Sequence, residues 1–126
     1  MNLEKTLLHS LGIELIKIEE GRVVATMPVD DRTRQPFGLL HGGASVALAE
    51  TVASVGAFEM IDKETEATVG LEINANHVKG KRDGIVTAVG EVIHRGRTTM
   101  VWEIKIKDER DQLICISRCT IGIITK

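Results

Sequence analysis

The 126-residue chain predicts an α+β domain in which an antiparallel sheet of about six strands wraps around one long central helix. Three observations carry this expectation. Residues 39–58 form the most apolar stretch of the chain, and Glu50 is its only formally charged side chain. Six other runs alternate apolar and polar residues in strand fashion. The last four of those runs are joined by short polar turns, which favours an antiparallel meander. Such a sheet must bury one face, and the only large apolar element available to cover it is a helix at about 43–61. The chain, 1–126, reads as a single domain.

In chain order, Leu3, Leu7, Leu8 and Leu11 follow helical spacing, and Gly12 is a stop signal. Residues 13–20 and 22–29 alternate around Gly21, the pattern of a hairpin. Residues 30–40 (DDRTRQPFGLL) are a polar loop that tightens at Pro36 and Gly38. The apolar helix comes next, followed by a solvated loop at 62–67. Strands are expected at 68–78, 85–94, 98–107 and 112–125. The third alternates most clearly, with Met100, Trp102, Ile104 and Ile106 on one face and Glu103, Lys105 and Lys107 on the other. Cys115 and Cys119 lie roughly 13 Å apart at strand rise, too far for a disulfide. Both are expected as reduced core residues, and no metal site is expected.

Composition narrows the function classes. With 43% hydrophobic and 27% charged residues the chain is globular. A net charge of −2, two Phe, one Trp and no Tyr argue against a nucleic-acid partner. The N-terminus lacks a basic region followed by an apolar run, so no signal peptide is expected and the cytoplasm is the predicted location. Residues 39–58 also fail as a membrane span. They contain His41, three glycines and a central acid, with no flanking basic cluster. No membrane partner is expected.

Glu50 then needs a reason. At about 100° per residue, its helix face comprises Gly43, Val46, Ala47, Ala53, Ser54 and Ala57. The opposite face carries Leu48, Val52, Val55 and Phe58, so one side is bulky and core-like and the other is small. Glu50 is mid-helix, which excludes capping, and no basic residue lies within four positions of it. A buried carboxylate without a cation costs stability, which makes Glu50 a functional candidate rather than a structural acid. His41 lies nine residues earlier, about 180° around the helix and roughly 13 Å along it. The two side chains cannot meet within one helix. If both serve one reaction, they come from different chains across a symmetric interface. Otherwise His41 is a turn residue before the helix. The Gly42–Gly43 pair would let a ligand approach backbone N–H groups at the positive end of the helix dipole.

The run Gln35–Glu50, Q-P-F-G-L-L-H-G-G-A-S-V-A-L-A-E, and the run Gly70–Val78, G-L-E-I-N-A-N-H-V, together resemble the hotdog-fold acyl-CoA thioesterases. The similar branch uses a catalytic Glu. It includes the 1,4-dihydroxy-2-naphthoyl-CoA thioesterases of menaquinone biosynthesis and the proofreading thioesterases of enterobactin synthesis. The resemblance extends from about Gly12 to Ile124. It implies a hotdog fold, a homo-oligomer that is a dimer of dimers (a homotetramer), and active sites between protomers. The implied substrate is an aromatic or related acyl-CoA, with no cofactor beyond the CoA that the substrate carries.

Carried over by position, the resemblance implies that Glu50 is the nucleophile or the general base, and that the Gly42 N–H binds the thioester oxygen. His41 would orient or polarise that oxygen, Gln35 would hydrogen-bond near the carbonyl or the attacking water, and Ser54 would position Glu50 or water. For CoA it implies the turn His77-Val78-Lys79-Gly80 and the turn His94-Arg95-Gly96-Arg97-Thr98-Thr99. The first places His77 on the face of Val69, Leu71 and Ile73; the second offers two guanidiniums to phosphate. Gly70 would admit the acyl or pantetheine chain, and Phe37, Val55, Phe58 and Met60 would shape the acyl pocket. Two alternatives share the fold: a hydroxyacyl dehydratase or hydratase, and a non-catalytic acyl-CoA-binding module. The H-G-G-(x)6-E arrangement and the Gln35 loop speak for hydrolysis.

Overall fold

The computed structural model describes residues 2–126. Its elements are α1 (Leu7–Leu11), β1 (Glu14–Glu19), β2 (Arg22–Pro28), α2 (Gly42–Phe58), β3 (Glu66–His77), β4 (Ile85–Arg95), β5 (Thr99–Lys107) and β6 (Leu113–Thr125). The strands join one antiparallel sheet in the order β1-β2-β4-β5-β6-β3. Strands β2 to β6 all touch α2, so the sheet wraps the helix as the apolar pattern predicts.

The expected meander holds only for β4–β5–β6. Strand β3 pairs with β6 at the far edge, and β4 pairs with β2. The cause is α2, which leaves β2, crosses the sheet and delivers β3 to the opposite edge. The return segment, 78–84, then runs back across the strand ends. It is pinned where the Val78 N–H donates to Ile114 O (2.8 Å) and the Val29 N–H donates to Gly84 O (2.8 Å). Glu109 fastens it further, accepting from Lys81 Nζ at 2.6 Å and from the Ile85 N–H at 3.0 Å. The Lys81 hydrogen bond is the main reason that the Glu109 carboxyl is lowered to about 2.

The core lies between α2 and the sheet, around Trp102, Met27, Leu48, Met100 and Ile104. Two glycines let helix and sheet approach closely. A Cβ on Gly56 would lie 2.2 Å from Trp102 Cη2, and one on Gly90 would lie 2.3 Å from Val52 Cγ1. This contact corrects the expected helix faces. The buried residues of α2 are Ala44, Ser45, Leu48, Ala49, Val52, Ala53, Gly56 and Ala57. Ala53 and Ala57, expected beside Glu50, face the core. Val55 and Phe58, expected in the core, are partly exposed. Leu48 and Val52 fill the core as expected, but around Gly56 the helix face is small because β5 supplies the bulk there as Trp102.

Two local departures matter for the site. Helix α1 begins at Leu7 rather than Leu3, and ends at Gly12 in the left-handed region (φ 72°), as that glycine predicts. Strand β3 carries a bulge at Leu71, between Gly70 and Glu72. A bulge inserts one unpaired residue and reverses the alternation beyond it. His77 therefore shares the inward face of Gly70, Ile73 and Ala75. Val69 and Leu71 lie on the other face, over Gly122, and Leu71 is 58% exposed. Cys115 and Cys119 are free and buried. No helix among the described residues is long and apolar enough to cross a membrane.

Candidate active site

The loop before α2 is tied down by its own polar groups. Thr33 is buried; its Oγ1 donates to Pro28 O (2.8 Å) and accepts from the Asp30 N–H (3.2 Å). The His41 N–H donates to Thr33 O at 2.8 Å, and the Gln35 N–H donates to Leu39 O at 2.8 Å. The Gln35 Oε1 accepts from the backbone N–H groups of Phe37 and Leu39. The amide oxygen is thus used by the loop, and the side-chain NH₂ remains as a donor.

His41 is the N-cap of α2, and its Nδ1 accepts from the Gly43 N–H at 2.8 Å. A neutral imidazole accepting at Nδ1 carries its proton on Nε2. The turn-residue reading is therefore correct for one nitrogen, while the other stays available. The Gly42 N–H, at the first position of the 17-residue helix, finds no acceptor among the described residues and sits where the dipole favours negative charge. His77 packs against the side-chain position of Gly42: a Cβ there would lie 2.9 Å from His77 Nε2. Gln35, Gly42, Ser45, His77, Lys79 and Gly80 line one cleft of about 300 Å³. Ser45, buried in the first turn of α2, was not singled out by sequence pattern, because it reads as an ordinary small helix residue.

Glu50 opens elsewhere. It is half-buried rather than enclosed, and lines a groove of about 600 Å³ between α1 and α2 together with Ser54 and Val55. No cation among the described residues pairs with it. On its other side stands Gly70, where a Cβ would lie 2.8 Å from Glu50 Oε2. The group that the missing side chain of Gly70 admits in this structure is the Glu50 carboxylate. Cys119 lies within reach of the same charge. Burial, reinforced by the Glu50 and Glu72 charges, pushes its thiol up to about 12.

The remaining candidates do not gather in one protomer. The turn His94–Thr99 lies beyond the C-terminal end of α2, where an Arg95 guanidinium NH₂ donates to Met60 O (3.5 Å) and the Gly96 N–H donates to Thr99 O (2.8 Å). His77–Gly80 lies at the opposite, N-terminal end of α2. The proposed acyl-pocket set also separates. Phe37 stands 85% exposed on the loop before α2, whereas Phe58 ends the helix with Lys63 Nζ 4.9 Å over its ring. Only Val55 of that set lines the groove of Glu50.

Comparison with known proteins shows the family. A family profile described as the thioesterase superfamily matches residues 37–115. A Bacillus subtilis relative carrying only a provisional esterase name, ComA2, is 60% identical over 100% of both chains. The 1,4-dihydroxy-2-naphthoyl-CoA hydrolase of Listeria monocytogenes is 52% identical over 91% of this chain and 93% of its own. A Staphylococcus aureus thioesterase has been solved as a glutamine-to-alanine and as a glutamate-to-alanine variant. The latter superposes with a TM-score of 0.92 at 48% identity, over 95% of this chain and 99% of its own. The chain that holds this glutamine loop, helix start and glycine-flanked carboxylate belongs to the thioesterase superfamily, as a thioester hydrolase of hotdog fold.

Proposed function

We propose that the protein hydrolyses an aromatic acyl-CoA to the free acid and CoA, with Glu50 as the catalytic carboxylate. The observation that carries this reading is the pairing of Glu50 with Gly70. An acid with no cationic partner is given space by a missing side chain and faces an open groove. In the general-base route, Glu50 takes a proton from water as the water oxygen attacks the thioester carbon. The resulting oxyanion is held by the Gly42 N–H, with the Gln35 NH₂ and His41 Nε2 as neighbouring donors. The C–S bond then breaks, and the proton goes to the departing thiolate. In the nucleophilic route, Glu50 attacks directly and water releases the acid afterwards.

Two further observations support the reading. The glutamine and glutamate replaced in the Staphylococcus aureus thioesterase stand as far apart as Gln35 and Glu50 do here. The name of the Listeria monocytogenes relative supports a 1,4-dihydroxy-2-naphthoyl ester and a place in menaquinone biosynthesis. A CoA ester as substrate places the reaction in the cytoplasm. Within one protomer, Glu50 and the Gln35–Gly42–His77 cleft open into different cavities. A complete site therefore joins two protomers, with His41 and Gly42 from one and Glu50 from the other.

The test is thiol release from benzoyl-, naphthoyl- and fatty acyl-CoA by wild type and Glu50→Ala. Wild type is expected to release CoA fastest from the aromatic esters, and Glu50→Ala to lose about 10²–10⁴-fold in kcat. Absence of release by wild type from every ester, or full activity in Glu50→Ala, would overturn the reading.

A further inference from the structure

The groove beside Glu50 has a second wall. One side is α2, through Val46, Ala47 and Val55; the other is the N-terminal segment, through Leu3, Leu7 and Leu8. We propose that this groove is the acyl-binding subsite, and that Leu3 and Leu7 determine which acyl groups enter. The proposal rests on Glu50 being the catalytic carboxylate. The acyl carbon under attack must lie against Glu50, so its substituent must extend into the space that the carboxylate faces.

Chemistry selects the acyl end as the occupant. Among the described residues, Glu50 is the only formally charged side chain in the lining, and none of them brings a cation to the groove. The nucleotide end of CoA, with its phosphates, would be repelled there, whereas an uncharged aromatic or aliphatic group would not. The volume, about 600 Å³, lies within the range of small-molecule sites and exceeds what a single ring needs. The wall itself is suited to discrimination. Helix α1 has five residues, none of them buried, and its Thr6 N-cap makes no side-chain capping bond to the helix. Leu8 and Leu11 pack against the core, while Leu7 is 59% exposed at the groove. An apolar side chain left without protein cover beside the reacting group is available to an apolar substrate.

Leu7→Trp and Leu3→Trp narrow the groove; the double variant Leu3→Ala/Leu7→Ala widens it. Neither site is buried, so the fold is expected to persist, as circular dichroism would show. KM and kcat are measured on acetyl-, benzoyl-, naphthoyl- and decanoyl-CoA. The tryptophan variants are expected to raise KM for the naphthoyl and decanoyl esters by about tenfold or more, with acetyl-CoA changed by less than about twofold. The double alanine variant is expected to shift preference the opposite way. A uniform effect on all esters, or none, overturns the proposal. So does a change of oligomeric state on size exclusion without a change of preference, because a second copy of the chain would then fill the groove.

Equilibrium binding of a non-hydrolysable naphthacyl-CoA thioether, with CoA alone as control, separates this proposal from the Glu50 reading. Should Glu50→Ala prove fully active, Leu7→Trp weakening the thioether but not CoA would still support the subsite. Equal binding of the thioether by wild type and Leu7→Trp overturns it even if Glu50 is catalytic.

Discussion

At the scale of single residues, the decisive contact is between two positions 20 apart in the chain, Glu50 and Gly70. A methyl group at Gly70 would meet Glu50 Oε2 at 2.8 Å, so Gly70→Ala is expected to turn the carboxylate away. Misplacing a catalytic group by about 1 Å costs on the order of 10²-fold in rate. Gly70→Ala should therefore lose activity of that order, while its thermal midpoint, read by circular dichroism, changes little because the strand is an exposed edge. Cys119 supplies a pH signature at the same scale. Its thiol is raised from an ordinary value near 9 to about 12, chiefly by burial. The folded thiol keeps its proton where the unfolded one has lost it, so the contribution to stability is whole below pH 9 and declines as pH rises toward 12. Urea titrations at pH 8 and pH 10.5 should show a steeper loss in wild type than in Cys119→Ala. Equal losses in the two proteins would remove this account.

At the scale of elements, α2 and the sheet are joined by small-on-large packing. Gly56 accommodates Trp102, and Gly90 accommodates Val52. Gly56→Ala places a Cβ 2.2 Å from the indole, and such overpacking costs about 1–3 kcal/mol. Chemical denaturation should show that loss, with an unchanged m-value if the fold is kept. Strand β3 shows a second element-level effect. Its bulge at Leu71 is what brings Gly70 and His77 onto the same inward face, toward Glu50 and Gly42. Period-two counting from Val69 puts His77 with Val69 and Leu71, and it fails at the inserted residue.

At the scale of the whole molecule, one protomer presents the parts of a site in separate cavities. The proposed joining of two protomers has a quantitative consequence. Glu50→Ala and His41→Ala chains, each inactive alone, should recover activity when mixed and allowed to exchange. In a mixed dimer one of the two sites is intact, so random pairing gives about a quarter of wild-type activity. No recovery after demonstrated subunit exchange would mean that each protomer works alone.

The strands, the long helix and its odd carboxylate were legible because they depend on local signals: period-two and helical patterning, turn residues, and the absence of any cation within a helical turn of Glu50. The Gln35 loop and the His-Gly-Gly start were legible as motifs. Strand order was not, since β3 joins β6 only because α2 carries the chain across the sheet. Nor was the inward turn of Ala53, Gly56 and Ala57 on α2, where Trp102 from a strand more than 40 residues later supplies the bulk. The partner of Gly70, the inward turn of His77 and the α1 wall of the groove likewise depend on groups distant in sequence. Patterning determines what each segment becomes, because backbone hydrogen bonding and side-chain alternation act over a few residues. Which segments meet is decided by packing, where volume must be filled without overlap, and only the folded chain expresses that constraint.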